Sequence, residues 1–228
     1  MPHTNKKELL SARLLIKYAS DNVPTKAEKK ILIEAASEAA SIMRSAVWKM
    51  DRLVLFNRPE SYLSPIVDEH FRMGGSETKK ERTRHLAKVR SGMLTLSFQL
   101  NTGLYLIDVD SERRPPDAGG DDFKGTRGYV TNYRPPERGP IHPDFDLAGR
   151  SYSPRGLARI IIHEASHRFQ FTRDKAYNYN RPKFEAMTVD DALNNADSWA
   201  YAALSIDSKS VESSATMVAN GHHGQDHS

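Results

Sequence analysis

The chain has 228 residues, a formal net charge of +4 and no cysteine. This length suffices for one domain with a sizeable core, and the lack of cysteine excludes a disulfide-stapled fold. It fits a reducing compartment or an exported domain that never relied on disulfides. No apolar run approaches the ~20 residues of a membrane span, and the first residues lack a signal-peptide core. We expect a soluble protein, either cytoplasmic or exported without a signal peptide.

The first hundred residues predict mainly helices. Helical spacing of apolar residues covers residues 9–18, and a longer helix is predicted from Thr25, as its N-cap, to about Phe56. The apolar stripe of this long helix has a period near 3.6 residues. Its members are Leu32, Ala36, Ala39, Met43, Ala46, Met50 and Leu53. A charged helix is predicted over residues 77–93.

The middle of the chain predicts short strands. Residues 95–109 alternate well enough for two strands that turn at residues 101–103. Residues 113–149 are rich in proline and glycine, with short strands predicted around residues 129–132 and near Ile141.

Two helices and a polar tail are predicted for the last third of the chain. The first helix begins at Pro154 and runs to about Phe171, and the second covers residues 188–206. The polar residues 208–228 predict a disordered tail.

Basic residues cluster at residues 79–85 and at Arg113-Arg114, where acidic residues are interleaved with them. Such a cluster can bind nucleic acid. No recognised nucleic-acid motif accompanies it, so we expect a solvated helix face and no nucleic-acid partner.

The run His163-Glu164-Ala165-Ser166-His167 is the most informative segment. Residues four apart on a helix lie on one face, about 6 Å apart, so both imidazoles can bind one Zn²⁺. Glu164 is then placed to deprotonate a metal-bound water. The alternative is an amphipathic helix with two surface histidines. The isoleucines at positions 160–162 argue against it, because they predict a buried helix.

A catalytic zinc of this kind needs a third protein ligand and an open position for water. Asp174 lies seven residues past His167, just beyond the predicted end of the helix. Glu185 lies eighteen residues past His167 and could serve from a following helix. The spacing alone leaves both carboxylates open.

Four segments resemble one family of metallopeptidases. Thr172-x-Asp174-x-x-Tyr177 is similar to the Gly-Thr-x-Asp-x-x-Tyr-Gly motif of the aspzincins, the deuterolysin and peptidyl-Lys metalloendopeptidase family. Asn195-Ala196-Asp197-Ser198-Trp199 resembles the family's Asn-Ala-Asp-Ser-aromatic box. Gly128-Tyr129-Val130 and Ile141-His142-Pro143-Asp144-Phe145 resemble the strand pair before its zinc helix. The similarity covers roughly residues 128–204.

The resemblance implies a zinc-dependent endopeptidase that holds one zinc ion per chain. By position, its zinc ligands are His163, His167 and Asp174. Glu164 corresponds to the general base, and Tyr177 to the residue that stabilises the tetrahedral intermediate.

Two departures from the family motif favour keeping other hypotheses open. Phe171 and Asn178 stand where the motif has glycines, and the link from His167 to Asp174 is short. Asn178 can adopt a left-handed conformation, whereas Phe171 cannot do so cheaply. Glu185 therefore stays the alternative third ligand, and a zincin-fold interaction module without hydrolysis stays the alternative function.

Asp197 allows three interpretations. It could stabilise the first turn of a helix, support a zinc ligand, or contact a basic substrate side chain. The resemblance favours an active-site role, and we assign Asp197 to substrate binding. Lysine-specific members have an acidic residue one turn further on, where this chain has Ala200. Strict lysine specificity is therefore not implied.

The predicted fold class is α+β: a mostly helical, zincin-like metalloprotease domain with a small sheet beside the zinc-binding helix. We expect one domain over residues 1–207, with a helical part over about residues 1–93 and a catalytic part over about residues 94–207. The expected partner is a protein or peptide substrate, with no membrane partner, and we expect the chain to be a monomer.

Overall fold

The computed structural model describes residues 5–19, 23–56, 58, 60–75, 77–102, 105–108, 128–130, 141–143 and 153–220. In these ranges the strands are β1 (Asn5–Ser11), β2 (Leu14–Ala19), β3 (Tyr105–Asp108), β4 (Gly128–Val130) and β5 (Ile141–Pro143). The helices are α1 (Lys26–Val54), α2 (Leu63–Phe71), α3 (Lys79–Thr102), α4 (Pro154–Gln170), α5 (Arg181–Glu185), α6 (Val189–Leu193), α7 (Ala196–Ser208) and α8 (Ser214–Ala219).

The strands form one mixed sheet in the order β1-β2-β3-β5-β4. β1 pairs antiparallel with β2 and β4 with β5, whereas β2 pairs parallel with β3 and β3 with β5. α4 packs beside β4 and β5. The chain is therefore mostly helical with a sheet, which confirms the α+β class. The strands predicted near residues 129–132 and Ile141 are confirmed as β4 and β5.

The helix predicted over residues 9–18 is wrong, because this segment forms the β1–β2 hairpin. Ser11 pairs with Leu14 across a two-residue turn. Leu14, Ile16 and Tyr18 are buried while Lys17 between them is not, which is the two-residue period of a strand. The apolar residues of so short a segment fit both periods, and pairing with β3 selects the strand.

The long predicted helix is confirmed as α1. Thr25 caps it as expected, since the Glu28 amide donates to Thr25 Oγ1 at 3.2 Å and the Thr25 amide donates to Glu28 Oε2 at 2.6 Å. Leu32, Ala36, Ala39, Met43, Ala46 and Met50 of the predicted stripe are buried. The helix ends at Val54, two residues before the predicted end.

The strand pair predicted over residues 95–109 is half wrong. α3 continues to Thr102, and only β3 occupies the place of the second strand. Val89, Met93, Leu96 and Leu100 are buried at a spacing of three and four residues. This helical stripe continues from the first half of α3 and outweighs the local alternation after residue 95. The boundary that was predicted near residue 93 between the helical part and the catalytic part also lies inside α3.

The C-terminal third differs from the prediction in two ways. The helix predicted over residues 188–206 is two helices, α6 and α7, because the chain turns at Asn194 and Asn195. The tail predicted as disordered contains α8, capped by Ser213. Residues 221–228 lie outside the described residues, and so does most of the segment 113–149.

A single hydrophobic core joins both ends of the described chain. It contains residues of β2, α1, α2, α3, α4, α7 and α8. Gly92 of α3 lets these layers approach closely, because a Cβ at this position would lie 2.3 Å from the Trp199 ring of α7. Among the helices of the described residues, none is long and apolar enough to cross a membrane.

Candidate metal centre

Helix α4 brings the two motif histidines together on its buried face. Ser153 caps the helix by accepting from the Gly156 amide at 3.2 Å, and Pro154 opens it. His163 and His167 are 7 % and 2 % exposed. Their Nε2 atoms lie 3.2 Å apart. The alternative of two surface histidines is therefore wrong.

Asp174 completes a triangle with the two imidazoles. Its Oδ1 lies 3.1 Å from His163 Nε2 and 3.3 Å from His167 Nε2. Ligands at about 2.0–2.2 Å from a tetrahedral zinc are separated by about 3.3–3.6 Å, so the triangle fits one face of such a site. Among the described residues, His163, His167 and Asp174 form a group of three potential ligands that could hold a metal ion.

Each imidazole is oriented by its other nitrogen. His167 Nδ1 lies 2.9 Å from the carbonyl oxygen of Thr172, and His163 Nδ1 lies 2.7 Å from Asp197 Oδ1. A carbonyl or carboxylate oxygen only accepts, so both Nδ1 atoms carry the hydrogen. Both Nε2 atoms are thereby directed at the triangle, the arrangement of metal-binding histidines with outer hydrogen-bond partners.

Asp197 lies behind His163 and is engaged on all sides. Its Oδ1 binds His163 and lies 3.5 Å from Arg159 Nη1, and its Oδ2 accepts from the Asn178 amide at 2.7 Å. The residue is only 3 % exposed. Burial opposes its charge, but these partners outweigh burial and hold the pKa of Asp197 below its usual value. Its contacts match support of a metal ligand, one of the roles that the sequence left open, and offer no exposed carboxylate to a substrate.

Asn195 holds the loop that carries Asp174. Arg173 forms a β-bridge with Asn195. The Asn195 Oδ1 atom accepts from the backbone amides of Lys175 and Ala176 at 2.9 and 3.1 Å. These bonds fix the backbone on both sides of Asp174. The sequence placed Asn195 in the resembling box without giving it a role, because its partners are twenty residues away in the chain.

Glu164 is buried beside the triangle, 3 % exposed, with Oε1 3.9 Å from His163 Nε2. Among the described residues its Oε2 has no hydrogen-bond partner. Burial raises the pKa of Glu164, although the neighbouring histidines oppose this. A buried carboxylate with a free oxygen and a raised pKa is suited to accept and return a proton.

The side chains of the triangle shift one another's pKa values. Burial lowers the pKa of His163, but Asp174 and Asp197 outweigh burial and raise it to about 10. The two histidines in turn hold the pKa of Asp174 far below its usual range, against the effect of its burial. A proton on His163 thus balances the charge of the two carboxylates beside it.

Tyr177 is an exposed residue whose ring lies beside that of His163. Its ring is parallel to the His163 ring at a centroid distance of 6.3 Å and to the Tyr179 ring at 5.4 Å. Burial first, and then the charges of Asp174 and Asp197, raise the pKa of the Tyr177 hydroxyl. The hydroxyl therefore stays protonated and can donate a hydrogen bond.

Glu185 is not brought to the histidines. It ends α5, half exposed, with its Oε1 2.7 Å from Arg181 Nη2.

The residue that takes a left-handed backbone conformation near the site is Phe171 and not Asn178. Phe171, at the C-cap of α4, has φ of 59°, whereas Asn178 is not among the residues with positive φ. Asn178 instead uses its amide on Asp197 and its Oδ1 on the amide of Ser214.

No protein-family model and no curated protein matches this chain.

Proposed function

We propose that this protein is a zinc-dependent endopeptidase with a zincin-like fold and an aspzincin-type metal site. The observation that carries the proposal is the triangle of His163 Nε2, His167 Nε2 and Asp174 Oδ1, with edges of 3.1–3.3 Å, beside a buried carboxylate. Two imidazoles and one carboxylate are a ligand set that zinc takes at catalytic sites with an open position.

The donors fit zinc in number, chemistry and orientation. Both imidazoles present an Nε2 lone pair once His163 gives up its proton, and the Asp174 side chain is partly exposed, so an ion can enter. When bound at such a site, zinc lowers the pKa of a water toward neutrality and polarises a carbonyl group.

Glu164 serves as the proton carrier in this proposal. Its free Oε2 accepts a proton from the water that attacks the scissile carbonyl, and the raised pKa lets the carboxyl hold it. The same oxygen then protonates the leaving nitrogen, so one carboxylate acts first as base and then as acid.

Tyr177 serves as a hydrogen-bond donor to the developing oxyanion. The stacking with His163 and Tyr179 holds its ring beside the metal ligands. A preorganised donor of this kind contributes about 2.7–4 kcal/mol at comparable sites.

The substrate class follows from the sheet edge and from Asp197. Among the described strands, β4 lies at one end of the order and beside α4, so an extended peptide could pair with it. Asp197 is buried against protein partners. We therefore propose a broad preference for side chains around the cleaved bond, and not cleavage confined to lysine.

The proposal is tested by digesting an unfolded protein such as casein with zinc-loaded protein. We expect Glu164→Gln to keep the zinc and the fold and to lose activity by roughly 10²–10⁴-fold, because the amide keeps the shape but cannot act as a base. Cleavage by the variant at more than about a tenth of the wild-type rate would remove Glu164 from the mechanism.

A second candidate function is a zincin-fold interaction module that binds metal without hydrolysis. The observation that favours it is Phe171, a large side chain in a left-handed conformation where the family motif has glycine. Stoichiometric zinc without cleavage of any unfolded protein by the wild type would favour this candidate.

A further inference from the structure

One face of the molecule exposes large apolar side chains on two neighbouring helices. Trp48 of α1 is 57 % exposed, and Leu55 and Phe56, which directly follow this helix, are 55 % and 64 % exposed. On α3, Leu94 and Phe98 are 45 % and 60 % exposed. Single exposed apolar residues are ordinary, whereas a group of them marks an interaction site.

Cross-helix contacts fix how α1 and α3 lie against each other. Asn101 Nδ2 donates to the carbonyl oxygen of Ala40 at 3.1 Å, and Arg90 Nε donates to Asp51 Oδ1 at 2.6 Å. The two helices are therefore antiparallel. The part of α1 between residues 40 and 51 lies beside the part of α3 between residues 90 and 101.

The exposed side chains lie within this paired stretch or next to it. Trp48 lies between the two cross-links on α1, and Leu94 and Phe98 lie between them on α3. Leu55, the C-cap residue two turns beyond Trp48, keeps helical backbone angles, which places it on the same side as Trp48. We call these residues, together with Phe56, the aromatic face.

Basic residues outnumber acidic residues in the two segments that carry the aromatic face. Residues 82–102 contain no Asp or Glu, and Arg84 and Lys88 are exposed one turn apart on α3. Between residues 41 and 56 the acidic residue is Asp51, which is paired with Arg90. The Arg52 guanidinium lies 5.0 Å from the centre of the Trp48 ring and is paired with Glu60 at 3.2 Å.

The charge selects the kind of partner. A second copy docked face to face would bring two positive rims together, which disfavours a symmetric dimer. An anionic bilayer fits both the exposed apolar side chains and the basic residues. Tryptophan, phenylalanine and leucine enter the interfacial layer of a bilayer, while arginine and lysine attract the headgroups. We propose that the aromatic face docks the protein peripherally on an anionic lipid bilayer. This inference does not depend on the metal site.

The chain carries its own probe for this contact. It has two tryptophans, of which Trp199 is buried and Trp48 lies on the aromatic face. With vesicles of phosphatidylcholine and phosphatidylserine at low salt, we expect co-sedimentation and a blue shift of the Trp48 emission. Both should weaken as salt screens the charges and should be small on pure phosphatidylcholine. The Trp48→Phe variant should bind without the shift.

Double variants separate the contribution of the basic residues to vesicle binding from that of the apolar side chains. Arg84→Glu with Lys88→Glu should reduce vesicle binding by roughly tenfold or more, because each basic residue adds to the attraction for anionic lipid. Trp48→Ala with Phe98→Ala should reduce it on anionic vesicles too. Lys26→Glu with Lys30→Glu, an equal charge change at the other end of α1, should stay within about twofold of the wild type.

Four results would overturn the proposal. They are no binding to phosphatidylserine vesicles at low salt, equal binding to neutral vesicles, an unchanged Trp48 emission in the bound protein, and equal losses for the α3 charge variant and its Lys26/Lys30 control. A dimer in light scattering that Trp48→Ala dissociates would assign the face to a second copy. Shielding of Trp48 from a soluble quencher in the free protein would assign it to the chain itself.

Discussion

Each of the two histidines of the candidate metal site has one nitrogen bound to the protein and the other directed at the triangle with Asp174. For His163 the protein partner is Asp197, whose second oxygen is held by the Asn178 amide. The imidazole is therefore fixed in one orientation before any metal binds, which lowers the cost of assembling the site.

We expect Asp197→Asn to weaken zinc affinity by about 10–100-fold, because an amide is a weaker acceptor for His163 and lacks the charge. A competition titration against a chromophoric chelator measures this. Asp191→Asn is the matched control, since Asp191 is partly exposed and paired with Lys175. Unchanged zinc affinity together with an altered preference for basic residues at the cleaved bond would return Asp197 to substrate binding.

Zinc binding should release a proton. In the metal-free protein the pKa of His163 is raised to about 10, so the imidazole holds its proton below that pH, and zinc must displace it. Affinity should therefore fall as pH is lowered, by about tenfold per unit between pH 9 and pH 7. Calorimetry near pH 8 in two buffers of different ionisation enthalpy should report about one released proton. Equal heats in both buffers would contradict the raised pKa.

The sequence identified the two histidines because helical geometry places residues four apart on one face of a helix. It identified Glu164 because this residue follows the first histidine directly. Asp174 came from a resemblance, and the structure brings it, and not Glu185, to the histidines. The sequence analysis named Asn195 and Asn178 but did not predict their hydrogen bonds. Their roles depend on hydrogen bonds to distant backbone, which spacing does not reveal.

At the scale of elements, α8 connects the C-terminal segment to the metal site. The Ser214 amide at the start of α8 donates to Asn178 Oδ1 at 2.8 Å. The Asn178 amide in turn binds Asp197, and Asp197 binds His163. A buried chain of three hydrogen bonds thus runs from α8 to a proposed zinc ligand.

We expect a chain that ends at Ser210, which lacks α8, to bind zinc about tenfold or more weakly, because its loss frees the Asn178 loop that holds Asp197. A chain that ends at Asn220 is the matched control, since it keeps α8, and should bind zinc as the full chain does. The same chelator competition measures both. Equal affinities for the two truncated chains would show that α8 does not support the site.

Helix ends and short segments were the elements that the sequence predicted least well. Phe171 takes the left-handed conformation at the end of α4, at a cost of about 1–2 kcal/mol that glycine would not incur. The sequence indicated that both motif glycines are replaced, that Asn178 can adopt a left-handed conformation and that Phe171 does so only at a cost. The hairpin at residues 5–19 was missed because its partner strand β3 lies ninety residues away.

At the scale of the whole molecule, one core packs around the helices that carry the candidate metal site. α1 packs against both α4 and α7, the helices that carry the histidines and Asp197. The α+β class could be predicted because long amphipathic helices have a clear period. The sheet order could not, since parallel pairing of β2 with β3 and of β3 with β5 leaves no local signal.

The expectation of no membrane partner rested on the lack of an apolar run, which concerns spanning alone. The aromatic face combines residues of two helices far apart in the chain, so it emerges only once α1 and α3 are paired. Surface docking and membrane spanning therefore require separate tests.

A zinc titration of two variants tests the central claim most directly. Asp174→Ala should lose about 10³-fold or more in zinc affinity, since it removes one of three protein ligands, whereas Glu185→Ala should bind as the wild type does. Glu185→Ala is the matched control, because it removes a carboxylate paired with Arg181 outside the triangle. Loss of zinc by the Glu185 variant with retention by the Asp174 variant would contradict the site built from His163, His167 and Asp174.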